Sequence, residues 1–155
     1  MTQAENRAQL LALALPAALL GGAYISEYVF GLFPCEMCWW QRWPHFAALA
    51  FALLSYVAPP KRIWIAIAAG GILTSGLIGA FHAGVEYGFW EGLTSCAQPS
   101  IAGGDALEAI FSQPIIRCDV APWTLLGISL AGFNAIISIG GALAIFRLLA
   151  RKDAA

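Results

Sequence analysis

Four stretches of this chain carry no charge and are each long enough, or nearly so, to cross a lipid bilayer. They run Ala8–Ser26, Trp43–Pro60, Ile63–Phe81 and Val120–Phe146. A helix needs about 20 mostly apolar residues to traverse the hydrocarbon, within a range near 17–25. Lipid offers no hydrogen-bond partners, so such stretches must satisfy their own backbone as helices. The charge balance agrees: only 11% of the residues are charged and 60% are hydrophobic, whereas soluble domains carry about 25% charge. The expected fold is all-α: a single integral membrane four-helix bundle over 1–155, with spans near 8–26, 43–60, 63–81 and 120–146. The fourth stretch is long enough to tilt or to run past the interface.

Basic residues orient the bundle. Arg7, Lys61, Arg62, Arg147, Arg151 and Lys152 fall on one side of a four-span arrangement, and only Arg42 and Arg117 on the other. The excess of positive charge marks the cytoplasmic side. Both termini are therefore expected in the cytoplasm, and the segments 27–42 and 82–119 face outward. The first span is read as an anchored helix rather than a cleaved signal peptide. Its apolar run exceeds the usual 7–15-residue signal core, and its leading segment is barely basic. Nothing in the sequence resembles a basic patch or a phosphate-cradling loop, so nucleic acid and nucleotides are not expected partners.

All four cysteines, Cys35, Cys38, Cys96 and Cys118, lie in the outward segments. Disulfides persist outside the cytoplasm and are rare within it, so the bacterial periplasm is the natural compartment. Cys35 and Cys38 form a Cys-x-x-Cys pair, a spacing far more often redox-active or metal-binding than structural. Taken alone, Cys96 and Cys118 would read as a static staple closing a loop. Beside the close pair they read as a second dithiol, and two dithiols at one membrane face point to thiol–disulfide exchange. Zinc is the chemical rival, since four thiolates can hold it, but zinc sites usually draw on two close pairs. No metal is expected. Between Cys96 and Cys118, Asp105–Ser112 has the pattern of a short amphipathic surface helix.

Cys35, Cys38 and Arg42 recur at i, i+3 and i+7, one stripe of a helix. A permanently charged guanidinium and a helix N-terminus both favour a thiolate beside them. Pro44 either kinks this helix or marks its start. Trp39, Trp40 and Trp43 read as an interfacial belt. Gly71, Ser75 and Gly79 form a small-residue stripe for close helix packing, and Asn134 reads as polar glue within the bundle.

The spans, the outward Cys-x-x-Cys followed by x-x-Gln41-Arg42, and the later loop holding two cysteines resemble the disulfide bond formation protein B family over essentially the whole chain. The resemblance implies a bacterial inner-membrane enzyme that reoxidises a periplasmic thioredoxin-fold oxidase, DsbA-like, and passes the electrons to membrane quinone, either ubiquinone or menaquinone. It implies that Cys96 is attacked by the partner's thiolate and that Cys118 relays to Cys35. Cys38 would face the quinone, with Arg42 stabilising the thiolate and the charge growing on the ring. His82 would be a quinone neighbour, with Glu86 a further candidate. A DsbA-like oxidant sits near about −120 mV, so its reoxidation needs an acceptor of higher potential, and glutathione is not one. Vitamin K epoxide reductase-type enzymes are also thiol–quinone bundles, but by resemblance their loop cysteines precede the Cys-x-x-Cys. A tetraspan protein with inert disulfides would leave the close pair beside Arg42 unexplained.

Overall fold

A computed structural model describes residues 2–93 and 116–151. Four helices dominate these residues: α1 (Gln3–Tyr28), α2 (Glu36–Val57), α3 (Lys61–Glu86) and α4 (Leu130–Ala150). Local sequence explains where they begin. The Thr2 hydroxyl accepts from the Glu5 amide at 3.1 Å, and the Glu5 carboxylate accepts from the Thr2 amide at 3.0 Å. This reciprocal box satisfies two N–H groups that helical bonding leaves open. At the start of α4, Ser129 Oγ accepts from the Gly132 amide at 3.1 Å. Cys35 does the same for α2, its sulfur accepting from the Cys38 amide at 3.2 Å. Pro44 therefore lies inside α2 and does not start it.

α1, α3 and α4 are long and apolar enough to cross a membrane. Only residues 43–57 of the expected second span, 43–60, are helical: they belong to α2, which ends at Val57 and is not among the three. Glu36, Gln41, Arg42 and His45 occupy its first turns, and three of these are buried. The fourth span is corrected at its start. Helix α4 begins at Leu130, not Val120. The residues ahead of it form an antiparallel ribbon of β1 (Thr124–Leu125) and β2 (Ile128–Ser129), which an all-α reading omits. Leu126 and Gly127 turn the ribbon at φ +53° and +78°, the left-handed pair that matches strand twist in two-residue hairpins. The expected surface helix at 105–112 and Cys96 lie outside the described residues.

α3 packs against both α2 and α4, and α1 closes the bundle against α2 and α4. The interfaces are built on small side chains. A Cβ added at Gly71 would stand 3.0 Å from the Pro44 carbonyl, and one at Gly76 would stand 2.9 Å from Ser138 Cβ. Ser75 Oγ donates to the Gln41 carbonyl at 2.8 Å. Close backbone approach of this kind substitutes for the hydrophobic drive that lipid removes. Toward one end, Ala8, Ala12, Ala48, Ala52, Ile65 and Ile72 form an apolar core. There Gln9 Nε2 crosses to Ser55, donating to its carbonyl and its hydroxyl at 3.0 Å each. The opposite end, where α2 begins and α3 finishes, carries Cys35, Cys38 and Cys118.

Candidate active site

The Cys-x-x-Cys pair occupies the N-terminus of α2 because Cys35 is its cap. The two sulfurs lie 2.7 Å apart. Cys35 is buried, and Cys38 sits in the first turn, ahead of the apolar stretch that opens at Trp43. The Cys35 thiol is pushed far above its ordinary value, first by the hydrogen bond it shares with Cys38 and then by burial. Cys35 therefore keeps its proton in the reduced pair, and Cys38 carries the negative charge.

His82, one turn before the end of α3, meets this pair. Its Nε2 lies 3.6 Å from Cys35 Sγ, 3.2 Å from the Cys118 carbonyl and 3.8 Å from a Glu86 carboxylate oxygen. Cys118 is itself buried in a cluster with Cys35, Met37 and Val85. The fold thus brings a cysteine of the long outward segment against the first cysteine of the close pair. The sulfurs of Cys35 and Cys38 and a ring nitrogen of His82 all lie within 4.8 Å of one another. This donor set could also hold a soft metal ion when the pair is reduced.

Arg42 is almost fully buried on the same face of α2. Its Nη1 donates to Glu27 Oε2 at 2.6 Å and its Nη2 to the Ala23 carbonyl at 3.4 Å, both on α1. The guanidinium carbon stands 5.0 Å from the Tyr24 ring centroid and 4.8 Å from that of Trp39. Weakly hydrated and planar, a guanidinium suits such stacking. Trp39 is therefore more than a belt residue, whereas Trp43 is largely exposed.

A cavity of about 240 Å³ opens beside these groups. Ala18, Leu19 and Leu20 of α1 and Leu130 and Phe133 of α4 supply apolar wall. Cys38, Arg42, His45, His82 and Glu86 also line it. Mostly apolar walls with a few convergent polar groups are the usual build of a small-molecule site.

A polar chain across α2, α3 and α4 holds the site in register. Gln41 Nε2 donates to the Met37 carbonyl at 3.1 Å and to His82 Nδ1 at 2.9 Å. Gln41 Oε1 accepts from Asn134 Nδ2 at 2.8 Å. With Nδ1 accepting, His82 carries its proton on Nε2, the nitrogen facing Cys35 and Cys118. Asn134 is the interhelical glue its position in an apolar helix implied. Glu27, His45 and the coupling of Gln41 to Asn134 escape sequence reading. The spacing of His45, three residues past Arg42 and seven past Cys38, is the one local signal for it. Cys96 lies outside the described residues.

A Cys-x-x-Cys pair at a helix N-terminus, beside an apolar cavity in a bundle of long apolar helices, defines a membrane-embedded thiol protein. The chain belongs to the DsbB family: the family described as "Disulfide bond formation protein DsbB" matches residues 5–148. It is thus a membrane protein of disulfide bond formation, and its family role is that of a thiol oxidoreductase. Among curated relatives, a Disulfide bond formation protein B of Verminephrobacter eiseniae is 30% identical, covering 92% of this chain and 84% of the relative. Disulfide bond formation protein B 2 of Pseudomonas aeruginosa is 29% identical, covering 80% and 82%. An uncharacterized protein of Rickettsia prowazekii, RP370, is 26% identical, covering 84% and 79%. No solved structure matches the chain.

Proposed function

We propose that this protein reoxidises a periplasmic thioredoxin-fold dithiol oxidase and passes the electrons to a quinone dissolved in the bacterial inner membrane. Both termini face the cytoplasm in this reading, and the cysteine-bearing segments face the periplasm. The observation that carries it is the shared position of Cys38 and Arg42 on one apolar cavity, with Cys118 and Cys35 gathered in one buried cluster.

Electrons move by exchange of sulfur bonds. A partner thiolate attacks Cys96 of a Cys96–Cys118 disulfide, and Cys118 leaves as a thiolate. The partner's second thiolate then attacks its own mixed disulfide, so the partner departs oxidised. Cys118 attacks Cys35, the Cys35–Cys38 bond breaks, and Cys38 leaves as the thiolate. The place of Cys118 and Cys35 in one buried cluster makes that step short-ranged. Attack of the Cys96 thiolate on Cys118 restores the loop disulfide and returns Cys35 as a thiol.

The residues lining the cavity suit a quinone, which supplies an acceptor for two electrons and two protons. Arg42 would hold negative charge at the cavity wall, where low dielectric strengthens its effect. His82 would offer its Nε2–H at the sulfur end. The apolar walls would exclude water from the Cys38 thiolate. In balance, two thiols become one disulfide, and both protons and both electrons pass to the ring.

The test is quinol formation by the purified protein with a reduced thioredoxin-fold oxidase as donor. Loss of quinone absorbance in step with partner oxidation is expected. Partner oxidation without quinol, or none at all, would refute the reading. A Cys118→Ser variant should further trap a mixed disulfide between the partner and Cys96, because the resolving thiol is gone. A trap through Cys35 with Cys96 dispensable would reverse the order of the two pairs.

A further inference from the structure

The polar chain that fixes His82 also fixes a second histidine, deeper in the bundle. Asn134 Nδ2 donates to Gln41 Oε1 at 2.8 Å, to Ser75 Oγ at 3.1 Å and to the Ser75 carbonyl at 3.2 Å. Its orientation is thereby set, and its Oδ1 is left to accept. Ser138 Oγ donates to that oxygen at 2.9 Å, and His45 Nε2 lies 3.0 Å from it. The His45 ring must therefore carry its proton on Nε2, which leaves Nδ1 as a bare acceptor.

His45 is 3% exposed. Its Nδ1 is buried and has no hydrogen-bond partner among the described residues. A buried polar atom without a partner costs about 1–3 kcal/mol, and such atoms in native proteins call for an explanation. The explanation is adjacent. His45 lines the same cavity as Cys38 and Arg42, on the same face of α2 and one turn beyond Arg42. With Nε2 committed to α4, Nδ1 is the nitrogen left for a ligand.

We propose that His45 is a ring-contacting residue that recognises the reduced form of the cavity's ligand, its Nδ1 accepting a hydrogen bond from a hydroquinone hydroxyl. This deepens the quinone reading and rests on it. A quinone presents two carbonyl acceptors and has nothing to donate to Nδ1, whereas a hydroquinone presents two O–H donors. The contact thus exists only after reduction. His45 takes no proton in this role: the thiol–thiolate pair gives the ring two electrons, Cys35 gives one proton, and the second comes from the periplasmic water that took up the partner's thiol protons, so that one of the two resulting hydroxyls is offered to Nδ1. A site that holds the reduced ring more tightly raises the potential of the bound couple. A tenfold preference equals about 30 mV for two electrons, in the direction that draws electrons away from the cysteines.

The test compares three rings in full-length protein carrying Cys38→Ser, so that binding is separated from electron transfer. The probes are a short-chain hydroquinone, its quinone, and its dimethyl ether, which keeps the ring but has no O–H. The hydroquinone should bind about five- to tenfold more tightly than the ether, the range of one hydrogen bond. His45→Leu should abolish that preference. His45→Gln should retain it, because the amide nitrogen can donate to Asn134 and the amide oxygen can still accept. Equal binding of hydroquinone and ether without the His45 substitution overturns the proposal, however the variants fold. So does a preference that survives His45→Leu, which would assign the contact to Glu86, whose Oε2 is likewise buried without a partner among the described residues. Failure of all three rings to bind would instead remove the quinone reading itself, and this inference with it.

Discussion

Arg42 and Glu27 form a nearly closed-off ion pair, Nη1 to Oε2 at 2.6 Å, that ties α2 to α1 at the mouth of the cavity. Both side chains are largely withdrawn from solvent, at 7% and 14% exposure. The cation that faces the cavity is therefore partly neutralised from behind and held in one orientation. This pairing shapes what substitution at either end should do.

Arg42→Lys keeps the charge but loses the planar multi-donor head and its stacking between Tyr24 and Trp39. Steady-state quinone reduction should fall about tenfold for lysine and about a hundredfold for Arg42→Ala, the scale of one charge-assisted hydrogen bond. Single-turnover oxidation of the partner should survive both changes, since in the proposed sequence that exchange begins at Cys96. Unchanged quinone kinetics in Arg42→Ala would reduce Arg42 to an interfacial anchor.

Glu27→Gln leaves the guanidinium buried without its carboxylate. Breaking one side of a buried pair costs about 3 kcal/mol, so the thermal midpoint in detergent should drop. The unopposed cation should also extend Cys38 alkylation to lower pH. Measuring the alkylation rate against pH in both proteins checks the sign, and a shift to higher pH would contradict the geometry.

The reduced Cys-x-x-Cys pair should label asymmetrically. Cys35, its thiol pushed up by Cys38 and by burial, retains its proton as pH rises through the ordinary thiol range. Cys38, the acceptor of that hydrogen bond, holds the charge and should react first with iodoacetamide at neutral pH. Its reactivity should fade on acidification, as the thiolate is protonated. Peptide mapping after brief labelling distinguishes the two, and preferential modification of Cys35 would be the contrary result.

Gly79 separates packing from site geometry. A Cβ there would meet the Ala131 carbonyl at 3.0 Å, Asn134 Nδ2 at 3.0 Å and Gln41 Oε1 at 3.1 Å. Gly79→Ala should therefore lose about 1–3 kcal/mol and also disturb quinone reduction, by displacing the Gln41–Asn134 pair. Gly71→Ala, crowded by the Pro44 carbonyl and Ala48, should lose comparable stability with less effect on turnover per folded molecule. Gly21→Ala meets nothing within 4 Å and should be neutral or slightly stabilising, as alanine favours helix over glycine. Detergent melting curves and normalised turnover give the ranking.

Much of this protein is written locally. Uncharged runs announce α1, α3 and α4, because hydrocarbon forces a self-satisfied backbone on any segment that enters it. The spacing of Cys35, Cys38 and Arg42 announces a stripe, because a helix repeats near every 3.6 residues. The charge-free run before Leu130 misled for the same reason: absence of charge reports compatibility with lipid and does not distinguish a helix from a tight ribbon turned at Leu126 and Gly127. α2 was harder to bound, since its first turns carry polar groups that only a bundle interior can satisfy. What tertiary structure alone decided is which distant side chains meet. Glu27 behind Arg42, Cys118 against Cys35, and Asn134 between Gln41 and His45 are pairings across helices, set by how closely glycine and serine let backbones approach. Those contacts choose the tautomers of His82 and His45, and no periodicity within one helix encodes a proton's position on a ring held by another.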